Sequence, residues 1–175
     1  MPSAITLAKA VEPLRLMWLE EPMPAENLDA LAQVRASTST VICTGENHYS
    51  RFHFIEMFER KAVDVIMPDF AKAGGIAEAK RIADLADAHY VPVAPHNVSS
   101  PLGMMAACHV LASIPNFLVL EFHGRDIPWW VDMCTGDKPF IRNGWMEVSQ
   151  EPGCGVELND EAAKTLLWEG DDYFD

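Results

Sequence analysis

The chain has 175 residues, 49% of them apolar and 22% charged, and a formal net charge of −13. That is the composition of a folded domain with a sizeable core, and the acidity argues against non-specific binding to nucleic acid or an anionic membrane. No apolar run approaches the roughly 20 residues needed to span a bilayer, and the N-terminus has neither the basic region nor the apolar core of a signal peptide.

In chain order, Ser3 is placed to cap a helix over 4–12 that ends near Pro13. Residues 15–20 read as a strand stopped by the Glu21-Pro22 step, and Asn27 as the cap of a helix over 28–36 with Leu28, Leu31, Ala32 and Val34 inward. A strand at 40–45, a helix at 51–61 and a strand at 63–68 follow. The turn Lys72-Ala73-Gly74-Gly75 then leads into a helix over 76–88 whose apolar stripe includes Ile76, Ala79, Ile82, Ala83 and Leu85. Strand 90–95, helix 101–113 and strand 117–121 complete the alternation. Short, continuously apolar strands between helices imply an α/β fold with a parallel sheet covered on both faces and right-handed crossovers. The length falls short of a complete (β/α)8 barrel, which takes about 250 residues.

After Glu121 the rhythm stops. Residues 122–139, with Trp129, Trp130, Pro128 and Pro139, read as an irregular excursion, and 140–148 as a hairpin around Asn143-Gly144. An extended piece at 152–158, a helix near 160–168 and a fraying tail, GDDYFD, end the chain. Cys43, Cys108, Cys134 and Cys154 form no CxxC and no zinc-finger spacing; Cys43 and Cys108 are expected as buried thiols in a reducing cytoplasm.

Five ionisable residues close the five strands: Glu20, Glu46, Asp69, His96 and Glu121, separated by 26, 23, 27 and 25 positions. Such a ladder at the carboxyl ends of successive βα units can assemble a metal and acid–base site. Glu20 and Glu46 are oxygen ligands suited to Mg²⁺, or else solvated strand ends. Alternation allows only one of Glu20 and Glu21 to face inward; Glu20 is taken as the inward one, with Glu21 turned towards a helix or lid. Asp69 can orient His96 as a general acid or base; the alternatives are a buried structural pair or a histidine ligand. Glu121 either supports an oxyanion or faces solvent. Lys72, His48 and Asn97 are candidates to contact substrate. The alternative for Lys72 is simple solvent exposure, for His48 a surface or capping role, and for Asn97 a helix cap. Gly74-Gly75 belongs to no phosphate-binding pattern and serves a turn. Trp129 and Trp130 either roof a pocket or pack against another domain.

Together WLEEP (18–22), TGEN (44–47), MPDFAKAGG (67–75), APHN (94–97) and LEFH (120–123) resemble the enolase superfamily. The resemblance is to its mandelate racemase-like branch, and especially to the acid-sugar (galactonate/gluconate-type) dehydratases. It implies that residues 1–122 are a partial (β/α) barrel carrying strands four to eight. An excursion at 123–148 and a return segment and helix at 149–175 follow. It implies Glu20 and Glu46 as Mg²⁺ ligands, Asp69 and His96 as the catalytic dyad, Glu121 as the acid supporting the substrate carboxylate or enediolate, and Lys72 as a frequent lysine of its loop. The substrate would be a small carboxylate or sugar acid that loses its α-proton and then its β-hydroxyl; a racemase or cycloisomerase would keep the same ligands, and a non-catalytic scaffold would use none of them. The family's first metal ligand and its Lys-x-Lys base have no counterpart in residues 1–175. A late start, a truncated gene or an expressed fragment is therefore expected, with little activity alone and open barrel edges inviting homo-oligomers.

Overall fold

The computed structural model describes residues 1–173; the last two residues of the GDDYFD tail, Phe174 and Asp175, lie outside the described residues. Contacts divide the chain into two units. The first comprises Met1–His96 and Ser113–Glu121, the second Asn97–Ala112 and Phe122 onward.

The first unit is built on a parallel sheet. Helix α1 (Pro2–Ala10) starts earlier than the sequence suggests: Pro2 occupies its first turn and Met1, not Ser3, holds the cap position without a side-chain bond. Proline suits that place because its missing N–H would have had no helical partner and its φ is already helical. A short turn of 3-10 helix at Glu12–Leu14 and a left-handed Arg15 (φ 50°) keep the chain out of the sheet until strand β1, Leu19–Glu20, much shorter than the expected 15–20. Helix α2 (Leu28–Ala36) is capped as expected, the Asn27 side chain accepting from the Ala30 N–H at 3.0 Å. Strand β2 (Ile42–Thr44) is central and wholly buried. Helix α3 (Ser50–Glu59) plugs Phe54 and Met57 into the core, strand β3 is Val65–Ile66, and helix α4 (Gly75–Ala88) buries Ala79, Ile82, Ala83 and Ala86. Ile76, expected on that stripe, is instead half exposed in the first turn.

The sheet order is β1-β2-β3, all parallel, with Glu20 opposite Cys43 and Thr44 opposite Ile66. Beyond β3 the expected strands at 90–95 and 117–121 contract to single parallel bridges, Ile66 to Val93 and Val93 to Phe117. Pro92 and Pro95 flank that stretch, and neither has an N–H to offer a ladder. The sequence order of the five segments is nevertheless their spatial order. Asn116 fastens the last of them, donating through Nδ2 to the carbonyls of Ala83 (3.1 Å) and Val91 (2.9 Å).

Glu78 of α4 closes the start of α3. Its Oε1 accepts from the Arg51 N–H (2.8 Å) and Nε (3.0 Å), and Oε2 lies 2.9 Å from Arg51 Nη2. The Arg51 backbone bond, followed by the guanidinium, holds the Glu78 carboxyl below its ordinary 4.5. A lowered folded value means that the unfolded chain binds the proton more readily. The stabilisation is therefore complete above pH 4.5 and lost as pH falls through the folded value. The expected result is a melting-temperature gap between wild type and Glu78→Gln that is full at pH 7 and closes in acid. A gap that stays constant across that range in thermal melts would refute it.

In the second unit, helix α5 (Pro101–Leu111) buries Met104, Met105, Ala107, Cys108, Val110 and Leu111. Trp130 packs there as core: its indole N–H donates to the Ser99 carbonyl at 2.9 Å and Phe122 meets it edge-on with ring centroids 5.0 Å apart, whereas Trp129 is half exposed. The expected hairpin is present as β4 (Ile141–Arg142) antiparallel to β5 (Trp145–Met146), turning on left-handed Asn143 (φ 51°) and Gly144 (φ 80°). Two successive positive φ values match the twist of a tight hairpin. The segment expected to extend over 152–158 turns first and pairs only at Leu158, with Cys134. Helix α6 (Asp160–Lys164) is shorter than expected, and the Tyr173 hydroxyl donates to Asp160.

Candidate functional site

The five ladder residues all belong to the first unit, and four of them share direct contacts. His96 is their hub. Its Nδ1 lies 2.9 Å from Asp69 Oδ2, and its Nε2 lies 3.0 Å from Glu46 Oε2 and 3.9 Å from Glu121 Oε2. The His96 and Asp69 side chains are only 10% and 7% exposed, against 25% for Glu46 and 32% for Glu121, so the pair is held in protein while the flanking acids keep an open side.

Local structure explains the grip on Asp69. Directly after β3, Pro68 ends the ladder and the chain turns, so that Asp69 Oδ1 accepts from the Ala71 N–H (2.9 Å) and the Lys72 N–H (3.2 Å). Lys72 Nζ stands 3.4 Å from Oδ2, an ion pair whose cation is 43% exposed and hence weakly held. Both nitrogens of His96 face carboxylate oxygens, and only a ring carrying a proton on each can donate to both. Asp69 fixes the ring through Nδ1, and Nε2 is turned to the more open Glu46 and Glu121.

Glu46 reaches this point because Gly45 precedes it. Gly45 has φ 153°, and a Cβ there would stand 2.8 Å from the Met67 backbone, so the β2 end can pass β3 only as glycine. Glu20 completes the acid group. Desolvation raises its pKa first, a hydrogen bond from Trp18 opposes this, and the charges of Glu121, Glu46 and Glu21 raise it further. Crowded carboxylates that oppose one another's ionisation have the donor chemistry of a hard divalent cation such as Mg²⁺, which takes oxygen ligands. Glu20 and Glu46 are therefore candidates to hold such an ion; among the described residues no group of three or more His, Cys, Asp or Glu side chains is gathered as a metal centre.

Glu21 does not turn towards a helix or lid. Its backbone N–H donates to Cys43 O (2.9 Å), its φ is +41°, and its carboxylate accepts from Thr44 Oγ1 (2.9 Å) and Asn47 Nδ2 (2.8 Å). Thr44 and Asn47 were not distinguished by sequence reasoning; the only available signal was their position beside Glu46. His48 is buried edge-on against His53 and Phe54, with Nε2 lacking a hydrogen-bond partner, and burial followed by the His53 charge holds it below the ordinary imidazole range. Asn97 is buried in the second unit, where it accepts from the Ser99 hydroxyl. Cys43 and Cys108 are buried free thiols, and desolvation pushes the Cys108 thiol up to about 11. No helix among the described residues is long and apolar enough to cross a membrane.

The family profile described as "Enolase C-terminal domain-like" matches residues 1–163. The chain belongs to that family. Within it, the chain falls in the mandelate racemase/muconate lactonizing enzyme branch, close to the acid-sugar dehydratases. It is 46% identical over 173 residues to the D-xylonate dehydratase of Haloferax volcanii, covering 99% of this chain and 42% of that protein. It is 34% identical over 166 residues to the D-galactonate dehydratase of Variovorax paradoxus, covering 91% and 43%. The crystal structure of a mandelate racemase/muconate lactonizing enzyme-like protein from Rubrobacter xylanophilus superposes with a TM-score of 0.96 at 57% identity, over 99% of this chain and 44% of that one. The enolase-family chain therefore spans less than half the length of these relatives.

Proposed function

We propose that this enolase-family chain carries the acid half of a Mg²⁺-dependent acid-sugar dehydratase site, on five segments that correspond to strands four to eight of a (β/α) barrel. The observation that carries the reading is His96, whose two nitrogens are held between Asp69 and Glu46 beside Glu121. The dehydratase names of the relatives agree with it. A full-length parent whose structure showed these segments outside a closed barrel would remove the barrel numbering.

Dehydration of a sugar acid breaks the C–H bond α to the carboxylate, its proton passing to a base, and the C–O bond at the β-carbon. The hydroxyl takes a proton from an acid and leaves as water, and the enol left behind gains a proton at the β-carbon and loses one from oxygen to become a 2-keto-3-deoxy acid. His96 Nε2 supplies the proton to the departing hydroxyl. Asp69 keeps the ring oriented and stabilises its protonated form, as a fixed carboxylate does for an acid–base histidine. Glu121, on the open side, would assist at the oxygen that gains charge only as a protonated carboxyl, which can donate a hydrogen bond to it. Such proton transfer supplies a factor of about 10² to 10⁴. Glu20 and Glu46 would hold Mg²⁺, which when bound stabilises the negative charge spread over the substrate carboxylate. No Lys-x-Lys base occurs in residues 1–175, and residues 1–175 alone are expected to turn over slowly, below about 1 per second, the low end of ordinary enzyme rates.

Calorimetric titration of Mg²⁺ into wild type and Glu46→Gln is the direct test. A weak wild-type binding heat that disappears in the variant is expected, and identical negligible heats would defeat the metal reading. With a panel of sugar acids in deuterated solvent, a 2-keto-3-deoxy product supports dehydration. Exchange at the α-carbon with racemisation would replace that reading by a racemase.

A further inference from the structure

We infer that Glu21, acting through Asn47, is a positioning residue that aims Glu46 at the His96 imidazole. The inference rests on the reading of the ladder as an acid–base site and adds a role to a residue outside it. Asn47 Nδ2 is the link: it donates to Glu21 Oε2 at 2.8 Å and stands 3.5 Å from Glu46 Oε1, while the other oxygen of Glu46 meets His96 Nε2 at 3.0 Å. Glu21 is itself anchored at its second oxygen by the hydroxyl of Thr44, the buried last residue of β2. A continuous line of polar contacts therefore runs from Thr44 through Glu21, Asn47 and Glu46 to His96 and Asp69.

The chemistry explains why the line needs these residue types. Glu46 sits one residue beyond Gly45, its side chain is a quarter exposed, and its charge and that of Glu20 oppose one another. A carboxylate in that setting is oriented by a donor on its free oxygen, and an amide held from behind by an acceptor is such a donor. Glu21 adopts its left-handed backbone immediately before Pro22, a conformation that residues preceding proline disfavour. The cost is met because strand pairing through its N–H and two side-chain bonds specify it together.

The test is the ¹⁵N signal of His96 Nε2 in the purified chain, assigned by its loss in His96→Asn. Asn47→Ala and Glu21→Ala are expected to move this signal in the same direction as Glu46→Gln does. Glu21→Gln should stay near wild type, because its carbonyl oxygen can accept from Asn47 while its amide donates to the Thr44 hydroxyl oxygen. A role confined to stability would lower the melting temperature and leave the signal in place. If Glu46→Gln moves the signal and the two alanine variants do not, the positioning role is wrong and the site reading stands. If Glu46→Gln does not move it either, both are wrong. Asn47 is exposed in a loop, so its variant decides the matter even if Glu21→Ala fails to fold.

Discussion

Gly45→Ala is expected to lower the unfolding free energy of the chain by roughly 2–4 kcal/mol, the range of a backbone clash combined with a φ that side chains rarely adopt. The added Cβ would sit 2.8 Å from the carbonyl carbon and nitrogen of Met67, main-chain atoms that cannot swing aside as a side chain would. Met67 is moreover tied to the same place, its N–H donating to Thr44 O at 3.0 Å. Relief therefore requires β2 and the chain beyond β3 to separate, which shifts Glu46 away from His96. Denaturant unfolding should show the loss, and Mg²⁺ calorimetry should lose the heat attributed to Glu46. A variant within about 0.5 kcal/mol of wild type, the scatter of ordinary surface substitutions, would show that the close approach does not exist.

Asp69→Asn should cost about 3 kcal/mol, although the substitution changes the side chain's shape very little. The carboxylate accepts from two backbone N–H groups on one oxygen and faces His96 Nδ1 and Lys72 Nζ on the other. An amide can keep the first oxygen in place only by turning its NH₂ towards His96, which must then present a lone pair at Nδ1. The negative charge that faced Nδ1 and the Lys72 cation is gone, and the ring is confined to the tautomer that accepts at Nδ1. Removing one member of a buried charge-assisted pair costs on this scale. Chemical denaturation of the variant beside Lys72→Ala separates the contributions: the lysine variant should change little, since its cation is largely solvated. Equal losses for both would mean that the Lys72 pair, not the His96 contact, carries the energy.

Much of this molecule was legible before any coordinates. The alternation of short apolar strands with amphipathic helices identifies a parallel α/β unit because burial on both faces of a sheet leaves continuous apolar runs. The Asn27 cap and the Asn143-Gly144 hairpin followed from local chemistry, since each depends on residues only a few positions apart. Prediction failed where local signals were absent or conflicted. Strand lengths were overestimated near Pro92 and Pro95, where apolar content is high but donors are missing. Ser3 yielded to Pro2 at the start of α1, Ile76 faced water in a first turn, and Trp130 became core of the second unit.

The ladder of Glu20, Glu46, Asp69, His96 and Glu121 was readable by itself because βα units repeat with nearly constant length and put the same strand end forward each time. That regularity determined which residues could share a site and, with the motifs around them, to which family they belong. The sequence could not say which atoms meet. Only the tertiary structure decided that Glu46 reaches His96, that Gly45 permits this by its approach to Met67, and that Glu21 looks sideways to Asn47. Those contacts join residues more than twenty positions apart at the ends of different strands, and distances there follow from register and backbone angle, which no local pattern of side chains encodes.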